Sequence, residues 1–311
     1  MSSPVNEVYA ATSKLALRRR PVLAGVLGAL VIAFSAILVK LAEVSPATSA
    51  FFRCAYAVPV LGLLAWLERR RYGPRPVRER AVTLGVGVLF AADLIFWHYS
   101  IQAVGAGLAT VLGNVQVVLV ALLAWVFLGE RPANRTLAAI PIVFAGVVLI
   151  SGVIGAAAYG DDPVLGVVYG VSTAIAYALF ILILRHANAD LRRPAGPLFD
   201  ATLVAAICCG LAGAAIGDID WVPDAEAQVW LVLLALSSQV VGWLLISVSL
   251  PRLPAVLTSI LLMLQPVSTV ILGAILLSEE PSAVQLSGVA IVLAGVAFAT
   301  LQPRKRELEP A

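Results

Sequence analysis

The feature that most constrains this chain is a succession of apolar windows, each about 20 residues long and nearly free of charge, that recurs from one end to the other. A helix rises about 1.5 Å per residue, so each window can cross the roughly 30 Å of hydrocarbon in a bilayer. Stretches such as 22–38 and 253–277 are apolar on every side. A membrane barrel would instead show segments of about ten residues alternating apolar and polar. Composition agrees: 61% of residues are hydrophobic and 13% charged, against about 45–50% and 25% in soluble domains. The chain is therefore expected to be an all-α membrane protein with spans at 22–42, 46–67, 81–103, 106–128, 135–156, 164–185, 197–217, 228–250, 254–277 and 283–302.

Charge placement tests that list independently, because Lys and Arg concentrate in cytoplasmic loops. All of the 21 basic residues except Lys40 and Arg53 fall in the N-tail, the C-tail and alternate gaps, led by Arg69, Arg70, Arg71, Arg75, Arg78 and Arg80 between the second and third spans. The opposite loops carry Glu43, Asp161, Asp162, Asp218, Asp220, Asp224, Glu226, Glu279 and Glu280. The expected location is a plasma (inner) membrane, multi-pass, with both tails (1–21 and 303–311) cytoplasmic. The basic residues Lys14, Arg18, Arg19 and Arg20 precede an apolar run too long for a cleavable signal peptide, so the first span reads as a retained anchor. The net charge of +3 is then a topology signal, and no nucleic-acid partner is expected. Cys54, Cys208 and Cys209 lie in apolar spans without metal-ligand spacing, so no metal or cofactor is expected.

A shift of 149 residues lays 106–132 on 255–281, with Leu112 on Leu261, Gln116 on Gln265 and a shared Leu-x-Glu-x-Pro ending; the register continues from 142–147 to 291–296. Two five-helix halves, 22–156 and 164–302, follow. Five is odd, so the second half must enter the membrane from the opposite side. Gly129-Glu130-Arg131-Pro132 has arginine where Ser278-Glu279-Glu280-Pro281 has glutamate, as opposite faces require. Inverted repeats of this kind typify secondary transporters with a midplane substrate site.

At these residues the chain resembles the EamA-type branch of the drug/metabolite transporter superfamily. The resemblance rests on Phe34-Ser35-Ala36-Ile37-Leu38-Val39-Lys40, Ser45-Pro46, Phe51-Phe52-Arg53, the Leu-Gly-Glu-Arg-Pro ending of the fourth span and the Leu-Gln-Pro of the ninth, and it covers 22–302. It implies ten helices and transport of small metabolites, often outward, without ATP hydrolysis. One departure stands out: Val117 follows Gln116 where the family often has proline, so a helix break expected in both halves is anticipated only at Pro266.

Polar residues at membrane depth mark the candidate site, because a centred Asp, Lys or Arg costs about 2.5–3.5 kcal/mol on insertion scales and so turns to a cavity or a partner. Asp93 and Trp97 share one face of the third span, and Asp93 is the candidate proton-coupling group. Arg53 is expected at a depth that can meet Asp93, and Lys40 either contacts substrate or snorkels toward Glu43. Asn114 and the repeat mates Gln116 and Gln265 are candidate substrate hydrogen-bonders, with Tyr177 and Trp243 as walls. His98 lies about 140° round the helix from Asp93 and reads as a packed residue bonded to a neighbouring helix. Gly105, Ala109 and Gly113 read as a small-residue packing stripe on the fourth span.

The expected function is secondary transport, in the exporting direction, of a small organic metabolite such as an amino acid or other carboxylated solute. Its partners are that solute, the bilayer and a proton as candidate coupling ion, with a homodimer left open. A channel or a multidrug-type cation exporter on the same scaffold is the alternative. No HExxH, GxSxG or GxxxxGK[ST] pattern is present to support an enzyme or an ATP-driven pump.

Overall fold

In the computed structural model, residues 21–129, 131–150, 158–187, 190, 192–249, 252, 262 and 264–300 are described. Both tails, the end of the expected fifth span, most of the first half of the ninth, and Glu130 lie outside them. The helices are α1 (Pro21–Leu41), α2 (Pro46–Tyr72), α3 (Val77–Val104), α4 (Ala106–Phe127), α5 (Asn134–Ile150), α6 (Pro163–Ala187), α7 (Ala195–Ile216), α8 (Ala225–Ser249), α9 (Leu264–Leu276) and α10 (Ala283–Thr300). Among the described residues seven helices are long and apolar enough to cross a membrane; α5, α9 and α10 are apolar but shorter. The expected windows for α5 and α9 run on into residues outside the description.

Local chemistry explains several helix ends. Ser45 caps α2 by accepting from Thr48 N at 3.3 Å, with Pro46 in the first turn. Asp224 caps α8 by accepting from Ala227 N at 2.9 Å. Helices α2 and α3 extend past the expected limits of 67 and 81, because hydropathy registers only the part in hydrocarbon while the arginine-rich ends continue as helix in water.

Among the described residues three helices are irregular. Helix α1 is interrupted at Phe34, α4 turns at Asn114 and Val115, and α8 contains a π-helical segment, Ala235–Gly242. The break in α4 occurs without proline, so the expectation that only the second half would be broken fails. Asn114 supplies a local reason: its Nδ2 donates to Thr110 O at 3.0 Å, while its N–H is shared between Thr110 O and Val111 O. Its side chain thus competes for a carbonyl that the helical ladder would use. Pro266 lies within α9, and most of the residues that precede it, where the expected break would fall, lie outside the described residues.

Packing follows a pseudo-twofold rule. Helices α2, α4 and α5 pack against their repeat counterparts α7, α9 and α10, and the contact of α3 with α6 is mirrored by that of α8 with α1. Each counterpart pair is antiparallel. Glu68, near the end of α2, accepts from Ala195 N and Gly196 N at the start of α7, at 2.9 and 2.8 Å. Asp218, just after α7, accepts from Ala47 N at the start of α2. Glu279, after α9, accepts from Ala106 N and Gly107 N opening α4, at 2.5 and 3.0 Å. Thr136 at the start of α5 reaches Ala299 O near the end of α10, and Gln285 at the start of α10 reaches Ile150 O. A carboxylate at a helix N-terminus meets both orphan N–H groups and the positive end of the helix dipole.

Small residues allow these approaches. A Cβ on Gly146 of α5 would lie 2.8 Å from Gly288 O of α10, and one on Gly288 would lie 2.7 Å from Gly146 O. Gly105 is not part of a helical stripe: it forms the α3–α4 corner with φ +85°, and a Cβ there would strike the Glu279 carboxylate. The outer surface leaves large apolar side chains bare, among them Val126, Phe127, Phe144, Leu211 and Ile275. That is what a lipid-facing surface requires and far more than a monomer in water normally shows.

Candidate functional site

The three irregular helices meet at one place. Interrupted backbone at membrane depth is tolerated where it is buried in protein or lines a cavity, and here a cavity of about 80 Å³ adjoins all three interruptions. The first half lines it with Ser35 of α1, Arg53 of α2, Asp93 and Trp97 of α3, and Asn114 and Gln116 of α4. The second half adds Thr173 and Tyr177 of α6, Trp243 of α8, and Leu262 and Gln265.

One wall is aromatic. Phe90 stacks on Phe180 with centroids 4.9 Å apart, and Trp243 sets its edge against Phe90 at 5.6 Å, Phe180 at 5.8 Å and Tyr177 at 6.0 Å. This cluster ties α3, α6 and α8 together at cavity level, where ring pairs add about 0.5–1.5 kcal/mol each beyond burial. The indole N–H of Trp243 is buried with no acceptor among the described residues.

The charged groups sit opposite each other in chemistry and on separate helices. Arg53, 3% exposed, lies 5.3 Å from the centroid of Trp97, and its Nε donates to Gln239 Oε1 at 3.0 Å. Gln239 lies in the π-helical segment, is fully buried, and passes the network to Thr202 of α7 through Nε2 at 3.0 Å. Asp93 is 7% exposed; its main-chain carbonyl accepts from Thr173 Oγ1 at 3.0 Å, which pins α6 to α3 and leaves the carboxylate to the cavity. Among the described residues no ion pair joins Arg53 to Asp93. The expected Arg53 partner is thus replaced by an amide from the other half.

Of the nine residues singled out from sequence, eight line this cavity: Arg53, Asp93, Trp97, Asn114, Gln116, Tyr177, Trp243 and Gln265. Lys40 does not. It is half-buried at the end of α1, and among the described residues it forms no ion pair with Glu43, whose backbone turns through φ 48°. His98 also departs from expectation, because Nδ1 bonds Leu94 O of its own helix at 2.6 Å and Nε2 is buried without a partner among the described residues. Ser35, inside the Phe34–Lys40 segment, is a contribution that sequence reading did not rank, while Thr173 comes from the four-residue stripe of α6 that also carries Tyr177.

No curated protein matches the chain. A solved structure described only as "Crystal structure of protein" aligns over 90% of this chain and 96% of its own, with a TM-score of 0.60 and 17% identity, a likeness of fold. The sequence profile described as the EamA-like transporter family matches twice, at residues 19–152 and 164–301. Two matching copies, antiparallel counterparts and a cavity between them agree with one another, and the chain belongs to the EamA-like transporter family of membrane transporters.

Proposed function

We propose that the protein is a ten-span secondary transporter that carries a small zwitterionic or carboxylated metabolite outward across the plasma membrane by alternating access. The observation that carries this reading is the convergence of Arg53 and Asp93, without an ion pair between them, in one cavity lined by both halves. Unlike charges held apart in a low-dielectric site favour a solute that satisfies both. A carboxylate addresses the Arg53 guanidinium, an ammonium addresses Asp93, and Asn114, Gln116 and Gln265 supply amide hydrogen bonds. The Trp243 N–H, without an acceptor among the described residues, adds a donor for an acceptor on the solute. Asp93 exchanges a proton with solvent when the ammonium leaves, which couples transport to the pH gradient.

In this orientation both tails and the arginine-rich loops face the cytoplasm, and the acidic loops face outward. Lys40 is not among the residues that line the cavity, so Arg53 and Asp93 leave the site charge-balanced. Purified protein in proteoliposomes tests the reading by counterflow of labelled amino acids against organic cations. Saturable exchange of zwitterions, lost in Arg53→Gln, is expected. Single-channel currents, or cation transport undiminished in Arg53→Gln and Asp93→Asn, would replace it with the channel or the cation exporter.

A further inference from the structure

A second cavity, of about 380 Å³, lies away from the central one, between the end of α2, the α2–α3 turn and the start of α7. Four arginines line it, Arg69, Arg75, Arg80 and Arg193, against two carboxylates, Glu68 and Asp200. Both carboxylates are already engaged by the fold. Glu68 caps α7 through two backbone N–H groups. Asp200, 2% exposed, is paired with Arg75 Nη2 and accepts from Thr83 Oγ1 at 2.9 Å. Asp190 Oδ2 pairs with Arg193 Nε at 3.1 Å and Arg80 Nε lies 4.0 Å from the already paired Asp200, so among the described residues Arg69 is the arginine of this cavity that no carboxylate pairs.

Two of the arginines are fixed by the fold. Arg193 donates to Gly73 O at 3.1 Å, Pro74 O at 3.3 Å and Tyr72 O, which clamps the α2–α3 turn onto α7. Arg75 lies across the start of α7, where a Cβ on Gly196 would come within 2.8 Å of its Nε. Its Nη1 is buried with no hydrogen-bond partner among the described residues. Arg69 and Arg80 stand exposed at the rim.

The remaining lining distinguishes a lipid from a free anion. Gly62, Ala65 and Trp66 form the part of the cavity that runs back along α2 toward its apolar stretch, with Phe199 opposite. Trp66 is 44% exposed and carries the Arg70 guanidinium 3.7 Å from its ring centroid, while Leu63 beside it is bare. An indole and arginines at the end of a spanning helix mark the headgroup level, and basic pockets between membrane helices hold anionic headgroups. We propose that this cavity binds the phosphate of an anionic phospholipid, with the acyl chains lying along Gly62–Trp66. The placement of the end of α2 at the membrane surface rests on the transporter reading; the binding chemistry does not.

Thermal unfolding of the full-length protein in neutral detergent tests this with phosphatidylglycerol, phosphatidylcholine or inorganic phosphate added. Arg75→Gln would strip Asp200 of its partner, so the informative variant is Arg69→Gln/Arg80→Gln, whose side chains are exposed. Phosphatidylglycerol is expected to raise the midpoint where phosphatidylcholine and inorganic phosphate do not, and the double variant to weaken that effect roughly tenfold in lipid concentration. Equal shifts with the two lipids, or an unchanged response in the double variant, would overturn the proposal. An equal shift with inorganic phosphate would overturn the lipid in favour of a soluble anion. None of these readouts involves solute transport, so each reading can fail without the other.

Discussion

Arg53 Nε donates to Gln239 Oε1 at 3.0 Å, and through this bond a cation of the first half is held by an amide of the second. Gln239 reaches that position from a π-helical segment, a geometry frequent at functional sites. Truncating the amide leaves a buried guanidinium short of an acceptor, a loss of about 1.5–3 kcal/mol for a charge-assisted bond. Gln239→Leu is expected to insert normally yet lower solute exchange in proteoliposomes roughly tenfold or more. Exchange at the wild-type rate would show that Arg53 needs no positioning.

Asp93 presents its carboxylate to the cavity while only its carbonyl is bonded to Thr173. Asp93→Asn keeps the shape and removes the titrating group. Transport driven by a pH gradient is expected to disappear in this variant, while exchange at equal pH persists only at higher solute concentration, because the ammonium loses its counter-charge. If the pH dependence is unchanged, Asp93 serves packing alone.

Glu279 and Glu68 play equivalent parts at opposite ends of the molecule, each accepting two backbone N–H groups at the start of a counterpart helix. Glu279→Gln and Glu68→Gln each lose the charge that opposes the helix dipole and one of two acceptors, about 1–2 kcal/mol. Both are expected to unfold several degrees below wild type, whereas Glu280→Gln, exposed on the same loop, is expected to match it. Equal midpoints for all three would remove the capping role.

The acidic loops gather at one end of the helices: Tyr99 donates to Asp218 Oδ2 at 2.5 Å, Thr48 Oγ1 accepts from Asp220 N at 2.7 Å, and Glu279 caps α4 beside Gly105. Reporter fusions at Asp162, Asp220 and Glu280 are expected to read as external, and fusions at Arg75 and Arg193 as cytoplasmic. A cytoplasmic signal at Glu280 together with an external one at Arg75 would reverse the orientation without altering the fold.

Membrane residence, the periodic placement of arginine and the 149-residue register were all legible in the chain itself. Hydropathy and charge are sums over local windows, and duplication survives as residue identity, so none of the three depends on how helices rotate or tilt. The same logic reached Asp93, Trp97, Gln116 and Gln265, because a polar side chain at membrane depth must face something other than lipid. What each one faces was decided by packing. Lys40 sits in the last turn of α1 and is not among the residues that line the cavity. Arg53 meets Gln239 because a π-helical segment shifts the phase of α8, and α4 breaks at Asn114 because an amide takes its own turn's carbonyl. The arginine cavity at the end of α2 exists only because Gly196 and Glu68, distant in sequence, bring α7 against it. Such juxtapositions are set by helix phase and crossing, to which a linear pattern of polarity is blind.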